Sequence, residues 1–303
     1  MKTLFSIFVC FIAFFSCKDD GNQDTNEKTE VLGLTYSISS KNFKTTDATI
    51  LSGLEALEPI RIVAEVNHRN NAVSVNKELD STKVILLGNP KLGTPLMQKN
   101  RLVGLDLPQK IFIWKSSSSN IRIGFNDTSY LQSRYDLGAI EELTTIQKAL
   151  TSFTNFAGNG EYVNNNNGTL SKEEGIITKK STKNFEETYD ALVAAIKGNE
   201  NLKLIAELDH QANAESVNLE LKPTRLIVFG NPNLGTPLMQ NMQTIGIDLP
   251  QKFLVWEDDE GTVMISYNDP EFLQKRHKIT DQNEILTTIT GALDNLSNAA
   301  AGL

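Results

Sequence analysis

Cysteine is nearly absent from this chain. Its 303 residues include two, Cys10 and Cys17, both within the first 17 positions. Histidine is almost as scarce, with three, and long apolar runs are confined to one place, the stretch Leu4 to Phe15. That run follows Lys2 and ends at Ser16-Cys17. It is shorter than the roughly 20 residues a membrane span requires, and its layout is that of a secretory signal occupying residues 1–16 and removed from the mature chain. Removal takes Cys10 with it, which excludes disulfides, thiolate nucleophiles and Cys-ligated zinc or iron-sulfur sites from the folded part. Basic charge is also in deficit: 29 Lys and Arg stand against 37 Asp and Glu, a net charge of −8. Nucleic acid is therefore no expected partner, since affinity for phosphate backbones comes from clustered Lys and Arg. What remains is ordinary globular composition, 40% hydrophobic and 22% charged, in a length that at about 150 residues per domain suggests two domains.

The end of the signal, Phe14-Phe15-Ser16-Cys17, resembles the lipobox of bacterial lipoproteins. The resemblance implies that Cys17 carries the acyl chains and anchors the protein in the cell envelope, with the membrane as a partner through lipid. Lys18-Asp19-Asp20 is similar to the acidic signal that some such lipoproteins use to reach the outer face of the outer membrane. Removing Lys2 with the signal shifts the net charge to −9. Residues 17–30 are expected to be a disordered tether, because Lys18 to Glu30 has no large apolar residue and so nothing to bury.

Self-comparison is the most informative reading. Leu86-Leu87-Gly88-Asn89-Pro90-Lys91-Leu92-Gly93-Thr94-Pro95-Leu96-Met97-Gln98 returns as Val228-Phe229-Gly230-Asn231-Pro232-Asn233-Leu234-Gly235-Thr236-Pro237-Leu238-Met239-Gln240, an offset of 142. The offset holds without a gap from Gly33/Gly175 to Arg134/Arg276 and becomes 143 at Thr145-Ile146/Thr288-Ile289. The chain is a tandem duplication: one domain at 31–157, a polar, Asn-rich linker at 158–172 and a second domain at 173–303.

Patterning in either copy gives the order β-α-β-(short α)-β-(short α)-β-β-α-α, in outline β-α-β-β-β-β-α. Asn184 with Glu187 three residues on opens a helix that Gly198 ends. Asp258-Asp259-Glu260-Gly261 reads as a hairpin turn between two strands. Asp127-Thr128 and Asp269-Pro270 read as helix starts, and so do Thr94-Pro95 and Thr236-Pro237, each as an N-cap followed by proline at the first helical position. The expected class is α+β: two similar small domains, each an antiparallel or mixed sheet with helices.

The segments Glu207-Leu208-Asp209-His210, Leu226 to Pro232, Gly235-Thr236-Pro237-Leu238-Met239, Asp248-Leu249-Pro250, Val255-Trp256-Glu257-Asp258 and Tyr267-Asn268-Asp269-Pro270 together resemble the DUF302 domain. The first copy matches less fully, with Asn67 for Asp209, Phe125 for Tyr267, Thr128 for Pro270 and Lys115-Ser116-Ser117-Ser118 in place of the acidic hairpin. The resemblance implies a small α+β domain that pairs, here as an intramolecular pseudo-dimer. It implies no activity and no catalytic residue.

Two histidines repeat, His68 and His210, each three residues after a glutamate, Glu65 or Glu207. If the strand runs through, Ile62, Ala64, Val66 and His68 share one face and Glu65 lies on the other. If a helix starts at Asn67 or Asp209, histidine sits in its first turn, within reach of the glutamate. A buried hydrogen-bonded histidine, a pocket ligand and a general acid or base all fit this placement. His277 faces Tyr135 in the alignment, so a role for it exists in one copy only. Trp114 and Trp256 are expected in the core or between copies.

The candidate ligand pocket comprises His68, Glu65, Asn89 and Thr94 in one copy and His210, Glu207, Asn231 and Thr236 in the other. No metal site is expected, because no histidine pair has a local ligand spacing. No cofactor is expected either, since Gly230 to Gly235 lacks the phosphate-loop and dinucleotide patterns. The leading expectation is a non-enzymatic module binding a small ligand or an envelope protein. An envelope enzyme using His and Glu, and a scaffold with no concave site near the Gly-Asn-Pro turns, are the alternatives.

Overall fold

The structure is a computed structural model and describes residues 30–165 and 168–303. The expected signal peptide, Cys17 and nearly all of the expected tether fall outside the described residues. The first copy contains β1 (Leu34–Ser39), α1 (Phe43–Glu55), β2 (Arg61–Asn67), α2 (His68–Val73), β3 (Thr82–Gly88), α3 (Pro90–Lys99), β4 (Gln109–Lys115), β5 (Ile121–Asn126), α4 (Thr128–Arg134) and α5 (Glu141–Thr154). A short β6 (Val163–Asn164) follows. The second copy repeats the plan as β7 (Ile176–Lys180), α6 (Phe185–Lys197), β8 (Lys203–Asp209), α7 (His210–Glu215), β9 (Thr224–Gly230), α8 (Pro232–Asn241), β10 (Gln251–Glu257), β11 (Val263–Asn268), α9 (Pro270–His277) and α10 (Asn283–Ala301). A 3-10 turn follows α3 at Arg101–Leu105, and another follows α8 at Gln243–Ile247.

Both sheets are antiparallel throughout, ordered β2-β3-β4-β5-β1-β6 and β7-β11-β10-β9-β8. The central strands are apolar on both faces, and the packing shows why. In β3, Ile85 and Leu87 point into the core under the helices while Val84 and Leu86 point the opposite way. β9 divides in the same manner, with Ile227 and Phe229 against Leu226 and Val228. The second set meets its counterpart from the other copy in an inter-sheet core with Leu34, Tyr36, Phe112, Trp114 and Leu254. The two sheets are therefore back to back with helices outside. Burial on both faces removes the alternation that a half-exposed strand would show.

Three local expectations change. The linker contributes β6, which adds to β1 through Thr35↔Asn164 and Tyr36↔Val163, because Val163 is an apolar residue with a sheet edge beside it. A bulge between Ile62 and Ala64 in β2, repeated between Leu204 and Ala206 in β8, inserts one residue. Ile62 is thereby turned to the helix-side core, while Val63, Ala64 and Val66 pack between the sheets. Finally, Thr94 and Thr236 are not helix caps. The helices start one turn earlier, where Asn89 Oδ1 accepts from Lys91 N (3.0 Å) and Asn231 Oδ1 from Asn233 N (2.9 Å), with Pro90 and Pro232 at the first helical position. Asn followed by Pro is the stronger start signal, and the later Thr-Pro is carried inside the helix. The caps expected at Asp127, Asn184 and Asp269 form as read, each side chain accepting from a backbone N–H of the first turn.

Candidate functional site: two pockets shared between the copies

The two copies exchange contacts reciprocally. Helix α2 packs against α8 and α3 against α7, while each 3-10 turn lies on the central strands of the other copy. His68 is the first residue of α2, which Asn67 caps by accepting from Asn70 N, and His210 opens α7 with Asp209 as cap. The helix alternative for these residues is thus the one realised. The ring does not turn back to its own glutamate, however. It crosses the interface, and His68 Nε2 donates to the Gly246 carbonyl in the other copy at 3.0 Å. His210 takes the twin position beside the Gly104 backbone with looser geometry, its Nε2 lacking a full hydrogen bond. Each histidine is 4% exposed, and burial lowers both pKa values from 6.5 to about 4, so the rings are neutral near pH 7.

The glutamates serve elsewhere. Lys83 Nζ lies 2.8 Å from Glu65 and 2.7 Å from Asp47, while Glu207 accepts from Tyr189 Oη at 2.7 Å and pairs with Lys197 at 3.3 Å. The His–Glu acid–base pair considered from the sequence is therefore not assembled.

Crossing the interface regroups the candidate residues. One pocket, of about 100 Å³, joins Asn89, Thr94, Met97 and Leu107 of the first copy to His210 and Asn213 of the second. Its pseudo-symmetric mate, of about 360 Å³, joins Asn231, Thr236, Met239 and Leu249 of the second copy to Glu65, His68 and Asn71 of the first. Glu207 lines neither. The helical walls come from α5 on one side and α10 on the other, and both pockets are predominantly apolar. Their buried polar feature is the threonine: Thr94 and Thr236 are fully buried, and neither Oγ1 has a hydrogen-bond partner within the protein. A buried hydroxyl without a partner is costly, about 1–3 kcal/mol, and each of these belongs to a residue in the wall of a cavity.

A second polar assembly, between the copies, went unread in the sequence. Asp106 Oδ2 accepts from Arg134 Nη1 (3.0 Å) and Tyr135 Oη (2.8 Å), and Lys110 is 3.1 Å from Asp106 and 3.6 Å from Asp248. In the second copy, Asp248 Oδ2 meets Arg276 Nη1 (2.5 Å) and His277 Nε2 (2.7 Å). His277 thus stands where Tyr135 does, on the corresponding carboxylate. Each arginine also reaches the opposite copy: Arg134 donates to Asn268 Oδ1 and the Gly175 carbonyl, Arg276 to Asn126 Oδ1 and the Leu32 carbonyl. Burial pushes the Asp106 and Asp248 carboxyls up, but the surrounding cations outweigh it and hold both below the usual range. Burial, reinforced by Lys110, lowers Lys252 to about 7. The available signal was Lys110 and Lys252, charges at the same repeat position directly before the apolar runs Ile111 to Trp114 and Phe253 to Trp256. Among the described residues, no three His, Cys, Asp or Glu side chains gather to hold a metal ion.

The repeat is also recognised as a whole. The family model for DUF302, a domain of unknown function, matches twice, over residues 35–153 and 177–296. This chain belongs to the DUF302 family. Among curated proteins, the fluoride-specific ion channel FluC 1 of Brucella suis is 41% identical over 107 residues, covering 35% of this chain and 42% of that protein. The FluC 1 of Brucella abortus and FluC 2 of Brucella melitensis match at the same identity, with 39% of each covered. The chain thus spans about two fifths of the length of these curated relatives, and the channel description belongs to them. Among the described residues no helix is long and apolar enough to cross a membrane. A DUF302 protein of Bacillus stearothermophilus, known from a crystal structure, aligns at 19% identity with a TM-score of 0.38 over 42% of this chain and 98% of its own.

Proposed function

We propose that this tandem DUF302 protein is a non-enzymatic envelope module, tethered to the membrane through Cys17, that binds a small amphipathic molecule between its two copies. The observation that carries the reading is Thr236, a fully buried residue in the wall of a mainly apolar cavity of about 360 Å³ whose hydroxyl has no partner in the protein. That volume lies within the range of about 300–1,000 Å³ usual for small-molecule sites, and an apolar enclosure with a few polar groups is their usual chemistry. A concave site at the Gly230-Asn231-Pro232 turn also argues against the pure scaffold. Because His68 and Asn71 come from one copy and Asn231 and Thr236 from the other, a ligand there would bind only to the docked pair.

Native mass spectrometry of protein purified without detergent tests the binding. The expected spectrum shows the chain with a solvent-extractable adduct that is lost in Leu234→Trp, a substitution that fills the cavity from its wall. Only the bare mass, together with identical thermal unfolding of wild type and Leu234→Trp in the presence of total envelope lipid extract, would sink the reading.

A further inference from the structure

The two pockets repeat in sequence but differ more than threefold in volume, and the helices forming their outer walls supply a reason. Ile146, Ala149, Leu150 and Phe153 of α5 line the small pocket. At a constant offset of 143, Ile289, Ala292, Leu293 and Leu296 of α10 line the large one. Three of the four pairs are alike in size, and the fourth sets an aromatic ring against a leucine. Among the other wall positions, Ile205 for Val63 and Phe229 for Leu87 make the large pocket's residues bulkier, while Val66 for Leu208 and Lys203 for Arg61 make them slimmer, each by less than a ring. The Phe229 ring, however, stacks on Phe253 at 5.1 Å within the core. Phe153 is 5% exposed and packs against Phe156 at 6.0 Å, and the Phe156 ring lies so close to Gly53 that a Cβ there would meet it at 2.3 Å. Phe153 is thus packed against a ring that itself sits tightly on α1.

We infer that the chain is a one-site binder: Phe153 plugs the first-copy pocket, and Leu296 leaves its twin open to a single uncharged amphiphile, an apolar body with one hydrogen-bonding head. This rests on the ligand-binding reading above and adds its stoichiometry and ligand class. At about 100 Å³ the small pocket falls well below the volume of a ligand site. The large pocket offers the Thr236 hydroxyl, the Asn231 amide and the neutral His68 ring to a head group. Glu65 and Lys203, both on its lining, bring opposite charges and hence no net charge to attract an ion. The duplication has kept two histidines and two threonines while one bulky side chain silences one of the two sites.

N-phenyl-1-naphthylamine, an uncharged aromatic probe with one N–H, measures this directly by fluorescence titration and by counting bound molecules in native mass spectra of the full chain. Wild type is expected to take one probe molecule, Phe153→Leu two, and Leu296→Phe to bind at least tenfold more weakly. Because a loosened fold also takes up apolar dyes, the gain in Phe153→Leu counts only as a saturable stoichiometry of two in a chain whose circular dichroism matches wild type, and the same spectrum confirms the fold of Leu296→Phe. Two equal sites in wild type, or undiminished binding by folded Leu296→Phe, would overturn the single-site inference and leave the ligand-binding reading standing. Absence of saturable binding in both wild type and Phe153→Leu would overturn both.

Discussion

His68 Nε2 lies 3.0 Å from the carbonyl oxygen of Gly246, 178 positions later in the chain and in the other copy. This bond turns a residue that looks local in sequence into part of the interface. Neutral imidazole suits it, since Nε2 must carry the proton to donate to a carbonyl, leaving Nδ1 as the acceptor. Gly246 is tightly fitted as well: a Cβ there would come within 2.8 Å of the Phe112 ring.

Acid should loosen the pair through these histidines. With folded pKa values of about 4 against 6.5 in the open chain, the unfolded state binds more protons between those limits, so stability rises with pH there. The contribution of each neutral ring is complete above pH 6.5 and drains as pH falls toward 4, reaching about 3 kcal/mol per histidine on the usual conversion. Urea unfolding midpoints measured from pH 7 to 4 should fall steeply in wild type and less so in the double variant His68→Gln, His210→Gln. Equal pH slopes would refute the linkage.

Thr236→Val separates stability from binding. Valine has nearly the same shape and removes the unpartnered hydroxyl, so the empty protein should gain up to about 1 kcal/mol. Binding of an amphiphile should weaken, since its head loses a partner. Chemical denaturation of ligand-free protein and probe titration, run side by side, should move in opposite directions. A loss in both would mean the hydroxyl has a structural partner.

Anchoring makes a prediction at Cys17. Cells fed radioactive palmitate should label the wild-type chain, and Cys17→Ser should abolish labelling and release the protein from the membrane fraction. Equal labelling of the two forms would end the claim.

The duplication, the order of elements and most helix caps were legible because each rests on local chemistry repeated twice. Asn184 with Glu187, or Asp269 before Pro270, says where a helix begins without help from tertiary structure. The bulge after Ile62 was not legible, since one inserted residue changes which face the strand presents without changing its composition. Neither was the partner of His68. Within one copy Glu65 is the nearest candidate, and only the docking of the second copy brings Gly246 to the ring while Lys83 occupies the glutamate. The candidate pocket residues were grouped within copies, whereas the fold sets Asn89 and Thr94 beside His210, and Asn231 and Thr236 beside His68 and Glu65, and leaves Glu207 outside both pockets.

Arg134 gives the sharpest test of how the copies are held together. Its guanidinium is fully buried and satisfies six acceptors at once: Asp106 Oδ2, Tyr130 Oη, Tyr135 Oη, Asn268 Oδ1 and the carbonyls of Glu174 and Gly175. Three of these belong to the other copy. Lysine keeps the charge, but a single ammonium with three donors cannot span that fan of acceptors. Arg134→Lys should therefore destabilise the protein by about 3 kcal/mol, in the range for disrupting a buried ion pair. Since the lost bonds lie between copies, protease nicking within residues 158–172 should rise along with the fall in the urea midpoint. Arg134→Lys with wild-type stability and unchanged nicking would show that the copies are held by the inter-sheet core around Trp114 and Leu254 alone.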